Sequence, residues 1–231
     1  MDYQSENKKF WDEHFSKVSL DYPNEEVIRF LAKNRKVYPG GRMLDWGCAT
    51  GRHTVLACKM GYEVIAADYV KRCIDITKEK VEKECTDYSG KVVSYIVNKD
   101  VDIENLDDNS LDIILAFGIM TLNGKEEQQC MLKNMSRMLK TGGRVFADFR
   151  TQKDTIYEIA MQENENLNGG FYVKSDELSV KGNYVCILSL QELEEMIENS
   201  GLSVENVELC EFTENNRKRK NSWWHITMIK A

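Results

Sequence analysis

The stretch Leu44-Asp45-Trp46-Gly47-Cys48-Ala49-Thr50-Gly51 places small residues at 47, 49 and 51, with a carboxylate two positions before the first glycine. Such spacing lets a ligand approach the backbone. A dinucleotide fingerprint is G-x-G-x-x-G, because a pyrophosphate must lie on a helix N-terminus. Here the pattern is G-x-A-x-G, one residue tighter, and Asp45 at its mouth repels pyrophosphate. The carboxylate welcomes a cation instead: at an effective dielectric of about 20, an ion pair at about 4 Å is worth roughly 4 kcal/mol before desolvation. Asp68 and Asp100 follow at the ends of later apolar runs, as does Phe117-Gly118.

Those residues need elements that bring them to one place. Residues 24–36 read as an amphipathic helix behind an Asn24 cap, stopped by Pro39-Gly40-Gly41. Arg42–Trp46 reads as a short buried strand, Arg52–Lys59 as a helix opening after Gly51, and Glu63–Asp68 as a second buried strand. The alternation continues with a helix at about 71–85, strands at 91–97 and 112–117, a helix at 125–140 and a strand at 143–149. This order predicts an α/β fold, a doubly wound, mostly parallel seven-stranded sheet. Ser189 and Glu192 form a capping box for a helix that Gly201 closes. Two last strand-like runs, SVENVELCEF and SWWHITMIK, predict a C-terminal antiparallel hairpin at the sheet edge. Ligands of open α/β sheets lie beyond the carboxyl ends of the strands, so residues 45–53, 68, 100 and 117 face one crevice.

Length and composition narrow the classes. At 231 residues the chain suits one domain with its own core. Its sequence divides into an N-terminal helical cover (1–38), a ligand-binding core (39–150), an insertion read as a helix plus a lid (151–188), and a helix with the edge hairpin (189–231). No apolar run reaches the roughly 20 residues of a membrane span, and the N-terminus lacks the order of a signal peptide, so a cytoplasmic protein is expected. The seven cysteines are odd in number and contain no CxxC pair, and histidines 14, 53 and 225 are scattered; neither a disulfide framework nor a metal site is indicated. A net charge of -7 weighs against a nucleic-acid partner, because such binding leans on neutralising phosphates. The basic run Arg217-Lys218-Arg219-Lys220 falls on the expected hairpin turn and reads as a solvated, aggregation-resistant edge.

The segment LDWGCATG resembles the first motif of the class I S-adenosylmethionine-dependent methyltransferases, E/D-x-G-x-G-x-G after the first strand. S-adenosylmethionine combines an adenosine with an ammonium and a sulfonium, the charge that Asp45 asks for. The resemblance extends through KDVDIENLDDNSLDIILAF and MLKNMSRMLKTGGRVFADF, over about residues 42–150, and in outline to the hairpin. It implies that Gly47 and Gly51 give close approach and that Asp45 orders the amino-acid end of the cofactor. It further implies that Asp68 accepts both ribose hydroxyls, that Asp100 meets the adenine amino group, and that the Val101 amide meets a ring nitrogen. Asp102 competes with Asp100 by a slip of two residues. Ala49 stands where the motif has its middle glycine, which a methyl tolerates at negative φ. Arg52, His53, Tyr69, Phe117 and Gly118 complete the expected pocket. FWDEHFSKVSLDYPNEEVIRFL is similar to a front segment that closes over the cofactor in some small-molecule methyltransferases, with Tyr22 its cofactor-side candidate.

For chemistry, the enzyme's main task is to align a nucleophile with the reactive methyl and exclude water. The candidates for a general base near the methyl are His14, Tyr22, Asp148 and Arg150, each with a packing or salt-bridge reading beside it. The expected acceptor is an oxygen or nitrogen of a small molecule, with sugars and amino-acid-like groups as candidate classes, bound by a monomer or homodimer. A protein acceptor, a non-catalytic S-adenosylmethionine-binding regulatory module and a nicotinamide-dependent oxidoreductase are the competing readings. Asp45 and the short glycine spacing argue against the last.

Overall fold

The computed structural model describes residues 3–86, 93–97, 103, 105–163, 167, 170–175, 178 and 180–231. The apolar runs form β1 (Arg42–Trp46), β2 (Glu63–Asp68), β3 (Val93–Val97), β4 (Leu111–Ala116) and β5 (Leu139–Arg150), with β8 (Ser203–Glu214) and β9 (Arg219–Ile229) at the end of the chain. They make one seven-stranded sheet in the order β3-β2-β1-β4-β5-β9-β8. The first five strands are parallel; β9 is antiparallel to both β5 and β8.

Helices cover both faces, which explains why the inner strands are apolar at consecutive positions. On one face Met43, Val64, Ile113, Leu115 and Phe146 meet α2 (Glu25–Asn34) and α3 (Arg52–Met60) through Val27, Phe30, Leu31 and Ala57. On the other, Leu44, Ile114 and Val145 meet α5 (Lys125–Met138) and α7 (Leu190–Glu198) through Leu132, Met135, Leu193 and Met196. Alternate residues of each strand thus serve opposite layers. The remaining helices are α1 (Tyr3–Phe15), α4 (Lys71–Glu84) and α6 (Thr155–Glu163).

Several local readings change. Asn24 occupies the N-cap of α2, but its side chain makes no cap bond; its amide instead donates to His53 Nε2 at 3.3 Å. Strand β5 begins four residues earlier than its pattern implies, because Leu139 pairs with Leu111 before a register shift. The hairpin turn runs through Asn215, Asn216 and Arg217, all at positive φ. Its basic run is divided: Arg219 and Lys220 lie in β9 and pair with Glu214 (3.2 Å) and Glu211 (2.7 Å).

The described residues of 151–188 contain a helix, as expected, and a two-stranded ribbon packed on it. Helix α6 packs through Ile156 and Ala160 on Phe171, Val185 and Ile187, around the two-stranded ribbon β6 (Phe171–Tyr172) and β7 (Tyr184–Val185). Helix α1 is fastened to it by Asn7, whose amide group donates to Leu122 O and Tyr184 O at 3.1 Å and accepts the Tyr184 amide at 2.8 Å. No helix among the described residues is long and apolar enough to cross a membrane.

Candidate functional site

After β1 the chain folds back onto the end of β2: the Gly47 and Cys48 amides both donate to Ala67 O, at 2.7 and 3.0 Å. The turn places Gly47, Ala49 and Gly51 at φ of 77°, 48° and 82°. A β-carbon on Gly47 would collide with Ile119, and one on Gly51 with Thr77 of α4. The two glycines therefore also have packing reasons. Ala49 does not keep the negative φ expected of it; its left-handed backbone costs on the order of 1 kcal/mol. Two bonds hold it there: its amide donates to Asp68 Oδ2 at 2.9 Å, and Thr77 Oγ1 donates to its carbonyl at 3.0 Å.

Two buried carboxylates flank this turn. Asp45, in β1, accepts the Thr54 hydroxyl of α3 at 2.6 Å. Asp68, at the end of β2, accepts Ala49 N–H on one oxygen and Val70 N–H on the other, at 2.9 and 2.8 Å. Burial raises both to about 6, and the Asp68 charge adds to the rise of Asp45. Arg52 lies near Asp45 and Asp148, although burial lowers its own value, and one guanidinium nitrogen reaches Tyr22 O at 3.4 Å. Buried carboxylates with this little compensation make a site that a cation relieves.

The front segment is tied to the same turn. Leu20 N–H donates to Thr50 Oγ1 at 2.8 Å, and that hydroxyl donates back to Leu20 O at 3.1 Å. Trp11 and Leu20 pack with Ala49 and Tyr69 on Phe15, Val70 and Cys73. The Trp11 indole Nε1 is buried without a hydrogen-bond partner. Tyr22, read as a pocket residue, is instead 86% exposed; only its carbonyl turns toward Arg52. His53 is buried, held down to about 3 chiefly by burial, and lies edge-on to Phe117. With its Nε2 on Asn24, His53 serves to join α3 to α2.

At the ends of β4 and β5, the Asp148 carboxylate accepts the exposed Gly118 amide and stands directly across the sheet from His225. Burial raises Asp148 above the ordinary carboxylate range. Arg150 is committed to Asp154 at 2.6 Å and lies over Trp223. His14 is half-buried and lies against the rings of Phe10, Trp11 and Phe15. Of the four general-base candidates, Asp148 accepts the Gly118 amide after β4 through its side chain, whereas Arg150 is bonded to that segment only by its backbone amide, which donates to Thr121 Oγ1 at 3.0 Å. Asp100, Val101 and Asp102 lie outside the described residues.

Sequence reasoning missed Ile119 over Gly47, Thr54 on Asp45, and Asn7 as the fastening of α1. It also found no metal ligands, whereas the fold brings Glu26, Cys210 and His225 together with their donor atoms within 4.8 Å of one another. Spacing along the chain carries no sign of such a group, since its members come from α2, β8 and β9.

Residues 38–201 match the family model described as a methyltransferase domain. The chain is 25% identical over 198 residues to the tRNA N(3)-cytidine methyltransferase METTL2 of Gallus gallus, which covers 80% of this chain and 50% of that protein. It is 29% identical over 134 residues to the ubiquinone/menaquinone biosynthesis C-methyltransferase UbiE of Geotalea daltonii, covering 56% of this chain and 54% of that one. The chain thus spans about half the length of these relatives. A solved SAM-dependent methyltransferase of Methanosarcina mazei superposes with a TM-score of 0.68 at 16% identity, over 92% of this chain and 99% of that one.

Proposed function

The chain belongs to the class I S-adenosylmethionine-dependent methyltransferases, and from that membership we propose that it methylates an oxygen or nitrogen of a small molecule. The observation that carries the donor half of this reading is the pair Asp45 and Asp68, both buried and both raised to about 6, on either side of a left-handed turn. The residues present fit the cofactor. Each Asp68 oxygen accepts a single backbone amide and keeps a lone pair for a ribose hydroxyl. The unpartnered Trp11 Nε1 offers one further buried donor beside Ala49 and Tyr69.

When bound, S-adenosylmethionine supplies an electrophilic methyl group on a sulfonium. Asp68 would hold the ribose and Asp45 the cationic end, with Gly47, Ala49, Gly51 and Tyr69 as the surrounding wall. Helix α1 and the insertion exclude water from the acceptor side, through Asn7 on Leu122 and Tyr184. Asp148 holds the Gly118 amide and thereby fixes the loop after β4, where Phe117, Gly118 and Ile119 face the acceptor. Positioning and water exclusion are the larger part of this catalysis.

The small-molecule acceptor is supported by the net charge of -7 and by the pairing of half the basic run across the hairpin, which leaves little to neutralise phosphates. One observation favours a second reading, a tRNA cytidine: a fission-yeast tRNA N(3)-methylcytidine methyltransferase aligns over 94% of this chain and 88% of its own length, at 21% identity. Incubation with methyl-labelled donor, a metabolite extract and total tRNA separates the two. We expect label in the low-mass fraction; label confined to tRNA would overturn the small-molecule reading.

A further inference from the structure

The α2 face of the sheet edge gathers three donor groups that the methyl-transfer site does not use. Glu26 comes from the first turn of α2, Cys210 from β8 and His225 from β9. Their carboxylate oxygen, thiol sulfur and imidazole nitrogen lie within 4.8 Å of one another, and no hydrogen bond engages any of the three among the described residues. His225 is 4% exposed, while Glu26 and Cys210 are half-buried and open to solvent on one side. Three donors of different chemistry thus converge at the sheet edge, two of them reachable from solvent.

We propose that Glu26, Cys210 and His225 form a binding site for a zinc-class divalent cation. One thiolate, one imidazole and one carboxylate are the ligand types zinc takes, and a sulfur donor excludes magnesium and calcium. Tetrahedral zinc with bond lengths of about 2.0 to 2.3 Å sets its donors roughly 3.3 to 3.8 Å apart. The three groups therefore close by about 1.5 Å at most, within the reach of the half-buried Glu26 and Cys210 side chains. Binding forms the zinc–sulfur bond and releases the thiol proton to solvent, so two ligand negative charges balance the ion. Water completes the fourth position; Glu208, across from His225 on β8, accepts the Asn206 side-chain amide at 3.2 Å and stands outside the group. Burial is the first cause that raises the Cys210 thiol; Glu26 and Glu208 add to the rise, and the Arg29 cation of α2 opposes it.

The location gives the site a consequence. Glu26 lies two residues from Asn24, whose amide is bound to His53 at the glycine turn. His225 lies across from Asp148, which holds the Gly118 amide. An ion there would clamp α2 to the edge hairpin immediately behind the methyl-transfer crevice, independently of what that crevice binds.

The test uses the full chain, stripped with a chelator and titrated with zinc alone, followed by cobalt substitution. One equivalent should bind, and the cobalt form should show the thiolate-to-metal charge-transfer band of a tetrahedral sulfur-bound site. Cys210→Ser should abolish that band, and Glu26→Gln should weaken zinc binding at least about tenfold. The double variant Cys58→Ser, Cys85→Ser should change neither. His225→Gln alters a buried residue, so the two half-buried positions carry the test. Absence of zinc binding, or a band that survives Cys210→Ser, would overturn the proposal. Binding of S-adenosylhomocysteine, measured on the same samples, reports on the methyltransferase reading separately.

Discussion

Ile119 lies so close over Gly47 that the glycine has no room for a β-carbon, and its φ of 77° disfavours one as well. Gly47→Ala should cost at least about 2 to 3 kcal/mol from overpacking and left-handed strain together. Adding Ile119→Ala should return the overpacking share and leave about 1 to 2 kcal/mol of strain. A double-mutant cycle in urea measures this coupling; additive losses would mean that Ile119 does not close over the turn.

Ala49 is strained at φ 48°, so a glycine should relax it. The backbone gain of about 1 to 2 kcal/mol exceeds the glycine's extra entropy cost of about 0.5 to 1. Ala49→Gly should therefore raise unfolding free energy by up to about 1.5 kcal/mol at unchanged m-value, whereas Ala49→Val should lower it by more than about 2. A destabilised glycine variant would assign the methyl's packing against Trp11 and Tyr69 the larger weight.

Asp68 titrates near 6 in the folded chain and near its ordinary, lower value when unfolded. Between about pH 4 and pH 6 the folded state thus holds the extra proton, and this residue's contribution to stability falls as pH rises through that window. Asp45, also raised to about 6, acts in the same direction, and His53, held down to about 3, acts oppositely over an overlapping range, so the wild-type profile mixes all three. The difference between Asp68→Asn and wild type isolates Asp68: the variant should gain about 2 to 3 kcal/mol relative to wild type from about pH 4 to pH 7. A flat difference would remove the burial that the cofactor reading depends on.

Asn7, 2% exposed, makes two hydrogen bonds to Tyr184 of the insertion and one to Leu122 after β4. Asn7→Ala leaves the Tyr184 amide without that acceptor, at a cost of about 1 to 3 kcal/mol. Because α1 is peripheral, the loss should appear as faster amide exchange in α1 and raised acceptor KM, with S-adenosylhomocysteine affinity little changed. Unaltered exchange in α1 would show that its aromatic contacts suffice.

The parallel core was legible because buried strands alternate with amphipathic helices, and the donor motif because its small residues and acids are local in sequence. Thus Ser189 and Glu192 announce a capping box that the structure contains. What stayed illegible depends on distant pairs. The partner of Asp45 is Thr54, a common helix residue, and Asn7 meets Tyr184 across 177 positions. Tyr22 read as a pocket residue because its segment is similar to one that closes over the cofactor, yet its side chain is exposed here. Ala49 carried the wrong φ because the turn's geometry is imposed by Asp68 and Thr77 rather than by residue 49 itself.

The most direct measurement is calorimetry of S-adenosylhomocysteine and NAD on the wild-type chain and on Asp68→Ala. Micromolar or tighter binding of S-adenosylhomocysteine is expected, with no heat from NAD and a loss of about 1 to 3 kcal/mol in Asp68→Ala. Heat from NAD alone, or an affinity for S-adenosylhomocysteine that Asp68→Ala leaves unchanged, would contradict the assignment of this turn to a cationic methyl donor.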